Sequence, residues 1–291
     1  DEMFLGSKFG EVNGMMDLLI SRMGPCDNPR RDTVNLVGRM FYSVGREDNM
    51  REFRGILSSM GLGINMNFLD SCTMDDLGRY SEAEFGIQLG KSRFNRNLCR
   101  KLERATGMRH VEVDMPMGLS ESLGWVDAIC DATGRDHLRE SAKSELRGRF
   151  ESLMAPIRER IAGRRVMIYY FSHSDLDWHL EALDAVGVKV EQITFVKGNI
   201  VDHNEKVTDC RDIPVVRDGS FCGFKEDVER LRPDLIVTND HNRVSELGIP
   251  WCGMNARTMG IGGSVEWAEL LADSLKLKKK IPCLDMIIAI S

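Results

Sequence analysis

An amphipathic helix, a glycine and a short β-rich run recur four times in this chain, and no other feature limits its fold so strongly. The copies are ILSSMGLGINMNF, KLERATGMRHVEV, EALDAVGVKVEQITF and VSELGIPWCGM, with the glycine at Gly61, Gly107, Gly187 and Gly248. Glycine just past a helix takes the left-handed backbone that other residues resist. The strand then starts almost at once, as in the short connections of parallel α/β sheets.

The helical stretches pass the spacing test for one apolar face. Met50, Phe53, Ile56, Leu57 and Met60 share a face, as do Phe94, Leu98, Leu102 and Ala105. Leu176, Leu180 and Leu183 form a third stripe, and Phe221, Phe224, Val228 and Leu231 a fourth. The β runs VNLVG, INMNFL, RVMIYYF, KVEQITFV and DLIVTN are short and nearly continuous in apolar residues, which suits a sheet covered on both faces. VEVD, at 111–114, alternates like a strand; Pro116 and Gly118 then break the chain, and Ser120 is placed to cap a helix carrying Leu123 and Val126. We expect that corner to be architecture rather than a binding site.

A longer stripe, Leu138, Ala142, Leu146, Phe150, Leu153, Ile157 and Ile161, marks one long helix ending at Gly163. Pro156 should kink it or split it in two. The expected class is α/β, with two Rossmann-like αβα domains of mainly parallel sheet joined by this helix. The expected division is 1–32 as the remnant of an upstream domain and linker, 33–136 as the first domain and 137–163 as the connecting helix. The second domain is expected at 164–278 and a tail at 279–291. A short helical stretch is expected from Glu11 to Met23. The chain opens DEMFLGSKFGEVNG without an initiator Met, so we expect an N-terminally truncated fragment.

With 291 residues and 42% hydrophobic content the chain can bury a sizeable core. Its net charge of −6 offers no global field for a phosphate backbone, so no nucleic-acid partner is expected. No apolar run reaches the roughly 18 residues that span a bilayer, so no membrane partner is expected either. None of the eight cysteines forms a C-x-x-C pair, which leads us to expect reduced thiols in a cytoplasmic protein.

In parallel α/β sheets ligands bind beyond the carboxyl ends of strands. The loop FSHSDLDWH offers His173 and Asp175, with Asp177 and His179 already inside the next helix. Asp175 is equally suited to cap that helix. The loop TNDHNRVSELG crowds Asn239, Asp240 and His241 together, where they can serve a polar ligand or simply the turn. WCGMNARTMGIGGS adds Cys252, Asn255 and Arg257 before a glycine-rich helix entry. The loop GRMFYSVGRED has neither the dinucleotide nor the P-loop glycine spacing. No catalytic triad, zinc ligand set or paired catalytic carboxylates stand out.

In order, the segments EMFLGSKFGEVNGMMDLLI, MREFRGILSSMGLGI, VEVDMPMGLSESLGWVDAICDATG, IAGRRVMIYY, LEALDAVGVKVEQI and RLRPDLIVTN resemble the nitrogenase component 1-type oxidoreductase superfamily, closest to its β-type subunits. The resemblance spans residues 1 to about 278. It implies three Rossmann-like domains per family subunit, of which this chain would hold the second and third. It also implies an α-type homologous subunit as partner and electrons from a separate ATP-dependent iron–sulfur reductase. The family's bridging iron–sulfur cluster is held largely by cysteines of the first domain, so the resemblance makes none of the eight cysteines here a ligand. Where α-type members hold their cofactor with Cys and His, this chain has Gly90 to Phe94 and Met254-Asn255. No catalytic residue and no metal ligand is therefore assigned. The implied function is a β-type subunit of a nitrogenase-like iron–sulfur oxidoreductase, an enzyme as a complex rather than alone. The alternatives are a non-catalytic scaffold for metallocofactor assembly and an unrelated two-domain protein binding a small ligand.

Overall fold

The computed structural model describes residues 8–38, 46–69, 72–90, 93–170, 176–196, 212–256 and 258–276. The chain divides into two compact units, Asp1–Pro116 with Glu121–Leu146, and Met117–Ser120 with Arg147–Ser291. Each described unit is a parallel sheet with helices against it.

In the first unit the elements run α1 (Lys8–Ile20), β1 (Arg30–Val37), α2 (Arg46–Ser58), β2 (Gly63–Phe68), a 3₁₀ turn (Asp75–Glu82), β3 (Ala83–Leu89), α3 (Arg93–Thr106) and β4 (His110–Val113). They are followed by α4 (Gly118–Thr133) and α5 (Asp136–Ile161), of which α4 starts and α5 ends in residues of the second unit. The sheet order is β2-β1-β3-β4, and every pairing is parallel. The α2 face is buried as its spacing predicts, with Phe53, Ile56 and Leu57 fully enclosed. Each such side chain contributes about 1.5–3 kcal/mol relative to exposure. Gly61 and Gly107 hold φ of +69° and +73°, the left-handed caps that let β2 and β4 start within a few residues.

β3, a central strand, is not among the β runs that the sequence pattern picks out. Gly86 interrupts its apolar run, and the reason is steric. The His110 ring lies over Gly86 so closely that a Cβ there would stand 2.2 Å from the imidazole Cδ2. His110 is the centre of a buried polar chain. Its Nε2 lies 2.7 Å from the Tyr80 hydroxyl, and its Nδ1 lies 3.4 Å from Glu103 Oε1. The same Glu103 oxygen accepts the His110 backbone N–H at 3.1 Å. Burial pushes the Tyr80 phenol well up, so it stays protonated and donates to Nε2, leaving the Nδ1 proton for Glu103. Asn35 on β1 donates to the Tyr80 carbonyl at 2.7 Å and accepts from Asn65 at 2.9 Å.

In the second unit the order is β5 (Arg165–Tyr170), α6 (Asp177–Ala185), β6 (Lys189–Phe195), β7 (Val215–Val216), α7 (Phe221–Leu231), β8 (Leu235–Thr238), α8 (His241–Val244), a 3₁₀ turn (Ser245–Leu247), β9 (Trp251–Cys252) and α9 (Gly260–Ser274). The sheet order is β7-β6-β5-β8-β9, again parallel throughout. Gly187 and Gly248 hold φ of +67° and +70° ahead of β6 and β9.

Three local expectations are corrected. Helix α5 runs from Asp136 to Ile161 as one assigned helix with Pro156 inside it, so it is not split there. Its buried stripe passes through Met154, which is fully enclosed, while Leu153 is 39% exposed. A step of four from Phe150 keeps the stripe on its face where the expected step of three does not. Ser120 is not the cap of α4. That helix starts at Gly118, and a carboxylate distant in sequence does the capping. Glu181 on α6 accepts the Leu119 N–H at 2.7 Å, the Ser120 N–H at 3.0 Å and the Ser120 hydroxyl. Gly118, at φ +71°, has no room for a side chain, because a Cβ would stand 2.6 Å from Glu181 Oε2. Met117 adds a parallel bridge to Gly260.

Candidate functional site

Strand order reverses between β1 and β3 in the first sheet and between β5 and β8 in the second. Adjacent strands lead their chains to opposite sides at such points, which leaves a crevice at their carboxyl ends. In the first unit the loops there, 39–45 and 91–92, lie outside the described residues. What is described is tightly closed. Asn95 donates to the Leu89 carbonyl, and Gly38, at φ +136°, packs where a Cβ would meet both Leu89 O and Asn95 Nδ2 at 3.0–3.1 Å.

In the second unit β5 and β8 run side by side to Tyr169 and Thr238. Thr238 Oγ1 accepts the Asp240 N–H at 2.9 Å. Asp240 in turn caps α8, accepting the Arg243 N–H at 3.5 Å, and its carboxylate stands 3.6 Å from the Arg243 guanidinium. Burial pushes the Tyr169 phenol up, against the opposing pull of the Arg243 guanidinium. Tyr169 itself is fixed by Phe224, with ring centres 4.5 Å apart. His241 stacks on Trp251, 5.5 Å between centres.

The next loop follows β9, the neighbour of β8. Its backbone is fastened from beneath: His179 Nε2 donates to the Met254 carbonyl at 2.9 Å, and Trp267 Nε1 donates to the Gly253 carbonyl at 2.8 Å. His179 is thereby buried against Trp178 and Trp267. Glu266 accepts the Thr258 N–H and hydroxyl at 3.2 and 2.7 Å. Asn255 is exposed on this loop.

Of the sequence candidates, Asn239, Asp240 and His241 cluster at the end of β8, and Asn255 follows the adjacent strand. His173, Asp175 and Arg257 lie outside the described residues. Asp240 is engaged in capping, while Asn239 is exposed. The electrostatic grouping of Tyr169 with Arg243 and Asp240 is not among the expected features. Its only sequence signal is a tyrosine at the carboxyl end of a β run.

The described thiols are not gathered into a ligand set for an iron–sulfur cluster. Among the described residues no group of three or more His, Cys, Asp or Glu side chains is placed to hold a metal. Cys99 and Cys252 are buried, and burial pushes both thiols up to about 12. Cluster ligation needs thiolates, which such surroundings disfavour. Cys26 and Cys72 are half-buried, and Cys222 is exposed. Among the described residues no helix is long and apolar enough to cross a membrane.

Two open parallel αβ units, each reversing its strand order beside the first strand, define a doubly wound class of chain. The family model for nitrogenase component 1 type oxidoreductases matches residues 10–276, and the chain belongs to that family. Of the light-independent protochlorophyllide reductase polypeptides, the one designated B from Jannaschia sp. (strain CCS1) is 20% identical over 250 residues, covering 85% of this chain and 47% of the relative. The polypeptide designated N of the same kind of reductase from Bradyrhizobium sp. (strain ORS 278) is 26% identical over 228 residues, covering 75% and 50%. The solved structure of nitrogenase Cp1 at pH 5 superposes with a TM-score of 0.54 at 12% identity, covering 89% of this chain and 60% of that one. This last likeness bears on the fold. The chain spans about half the length of these curated relatives. The family match removes the reading of an unrelated two-domain binding protein.

Proposed function

We propose that this chain acts as part of a β-type subunit in a nitrogenase-like oxidoreductase complex of the cytoplasm. In that reading it stands beside a homologous α-type subunit and receives electrons through an ATP-dependent iron–sulfur reductase. The observation that carries the proposal is the family match over residues 10–276, supported by likeness to both the B and the N polypeptides of light-independent protochlorophyllide reductases. An iron–sulfur cluster in such a complex takes ligands from beyond the described residues, among which no group of three or more His, Cys, Asp or Glu side chains is placed to hold a metal. The contribution of the described residues is then two parallel sheets with their flanking helices. The second sheet carries the loops at 239–241 and 253–256, on which Asn239 and Asn255 are exposed and His241 stacks on Trp251.

The test is co-expression with the homologous subunit and the reductase encoded by the same organism, followed by an assay of ATP-dependent electron consumption. Turnover that requires this chain supports the proposal. The family match is also compatible with a second reading, a scaffold for cofactor assembly. A complex that acquires and releases metallocofactor but never consumes electrons would establish it and overturn the first. Failure to associate with any homologous subunit would overturn both.

A further inference from the structure

Helix α3 buries Leu98, Cys99 and Leu102 on one side. On the opposite side Arg93, Arg96, Arg100 and Arg104 are all exposed, at steps of three, four and four. At 1.5 Å per residue they form a row about 16 Å long. Arg96 pairs with Glu112 at 3.1 Å. The other three side chains make no ion pair or hydrogen bond with the described residues. The helix contains one carboxylate, Glu103, and that one turns inward to His110. So a chain with a net charge of −6 concentrates guanidinium groups on a single helix face. Helix α1 is tied alongside through Lys101 and Asp17, 2.7 Å apart, and adds Met15 and Leu18, each more than half exposed.

We propose that this face of the first unit docks an acidic patch on another protein. Arginine forks recognise carboxylates in a bidentate way, and arginine and methionine are enriched where proteins meet. A row at helical pitch fits carboxylates spaced one turn apart on a partner helix. The net charge of −6 opposes a long polyanion such as a nucleic acid. A bilayer surface is a poorer match, since α3 itself offers no exposed apolar side chain and α1 adds Met15 and Leu18 alone among the large exposed hydrophobics of the two helices. This inference stands apart from the proposed function and does not require it.

The probe is poly-L-glutamate, titrated against the full chain at low and moderate salt. The controls are a single-stranded oligonucleotide and vesicles of phosphatidylcholine mixed with phosphatidylserine. Binding to poly-L-glutamate should weaken with salt and fall about tenfold or more in the chain carrying Arg93→Glu, Arg100→Glu and Arg104→Glu. The corresponding triple lysine chain should keep most of the affinity. If the triple reversal does not fold, Arg100→Glu by itself should cost about threefold. Equal affinity of the native and reversed chains overturns the proposal. So does tighter binding of the oligonucleotide or the vesicles than of poly-L-glutamate.

Discussion

Replacing Gly86 by alanine should destabilise the first unit, and His110 should account for nearly all of the cost. A Cβ at position 86 meets His110 Cδ2 at 2.2 Å and Nε2 at 2.6 Å. Ordinary carbon contacts sit near 3.5–4.0 Å, so the ring must retreat by more than an ångström. That displacement breaks the 2.7 Å bond to the Tyr80 hydroxyl. Overpacking costs about 1–3 kcal/mol. Leaving the buried phenol without its acceptor costs about 1–3 kcal/mol more. The stiffer unfolded chain returns about 0.4–1 kcal/mol. The net expectation is a loss of about 1–5.5 kcal/mol. In a His110→Ala background the space is open, and Gly86→Ala should be neutral or slightly stabilising. A double-mutant cycle by urea unfolding, followed by far-ultraviolet circular dichroism, measures the coupling. Hydrogen exchange of peptides from 83–113 confirms that the first unit carries it. Equal costs of Gly86→Ala in both backgrounds would refute the steric argument.

Burial pulls the His110 imidazole below its usual value, against the attraction of Glu103, so the folded state binds fewer protons than the unfolded one. Stability from this group is complete above about pH 6.5 and falls as the pH drops below it; His110→Gln should flatten the slope of unfolding free energy measured between pH 7 and 5. Glu181→Ala removes the acceptor for two N–H groups at the start of α4, where Ser120 is exposed enough for water to substitute in part. A loss of about 1–2 kcal/mol is expected, with faster exchange at Leu119 and Ser120, and an unchanged urea midpoint would contradict the capping role. Of the described thiols, alkylation under native conditions, mapped by mass spectrometry, should reach Cys222 first and leave Cys99, Cys130 and Cys252 unmodified until urea is added. Rapid native labelling of Cys99 or Cys252 would show that those thiols are not held protonated by burial.

Periodicity made the repeating part of the fold legible. Each of the four cap glycines lies at positive φ, and the helix faces it punctuates are buried as spaced. The signal fails where one residue answers to a distant partner. Gly86 reads as a break in an apolar run, because the ring that demands it comes from position 110. Ser120 reads as a cap because its true acceptor, Glu181, lies 61 residues away. Met154 and Leu153 differ by one position in a helix, and only the neighbouring elements decide which is enclosed. At the candidate site, turn-forming residues drew attention to the loop after β8. Asp240 and Thr238 use them for local geometry, as the turn reading allowed.

The short strip Met117–Ser120 belongs to the second unit although the sequence on either side of it belongs to the first. Severing the polypeptide after Leu146 would thus deliver a second half without the strand bridge to Gly260 and without the amides that Glu181 binds. Neither half is a detachable cassette. Recombination within this lineage, and limited proteolysis in the laboratory, should conserve the pair as one inheritance rather than trade its members separately.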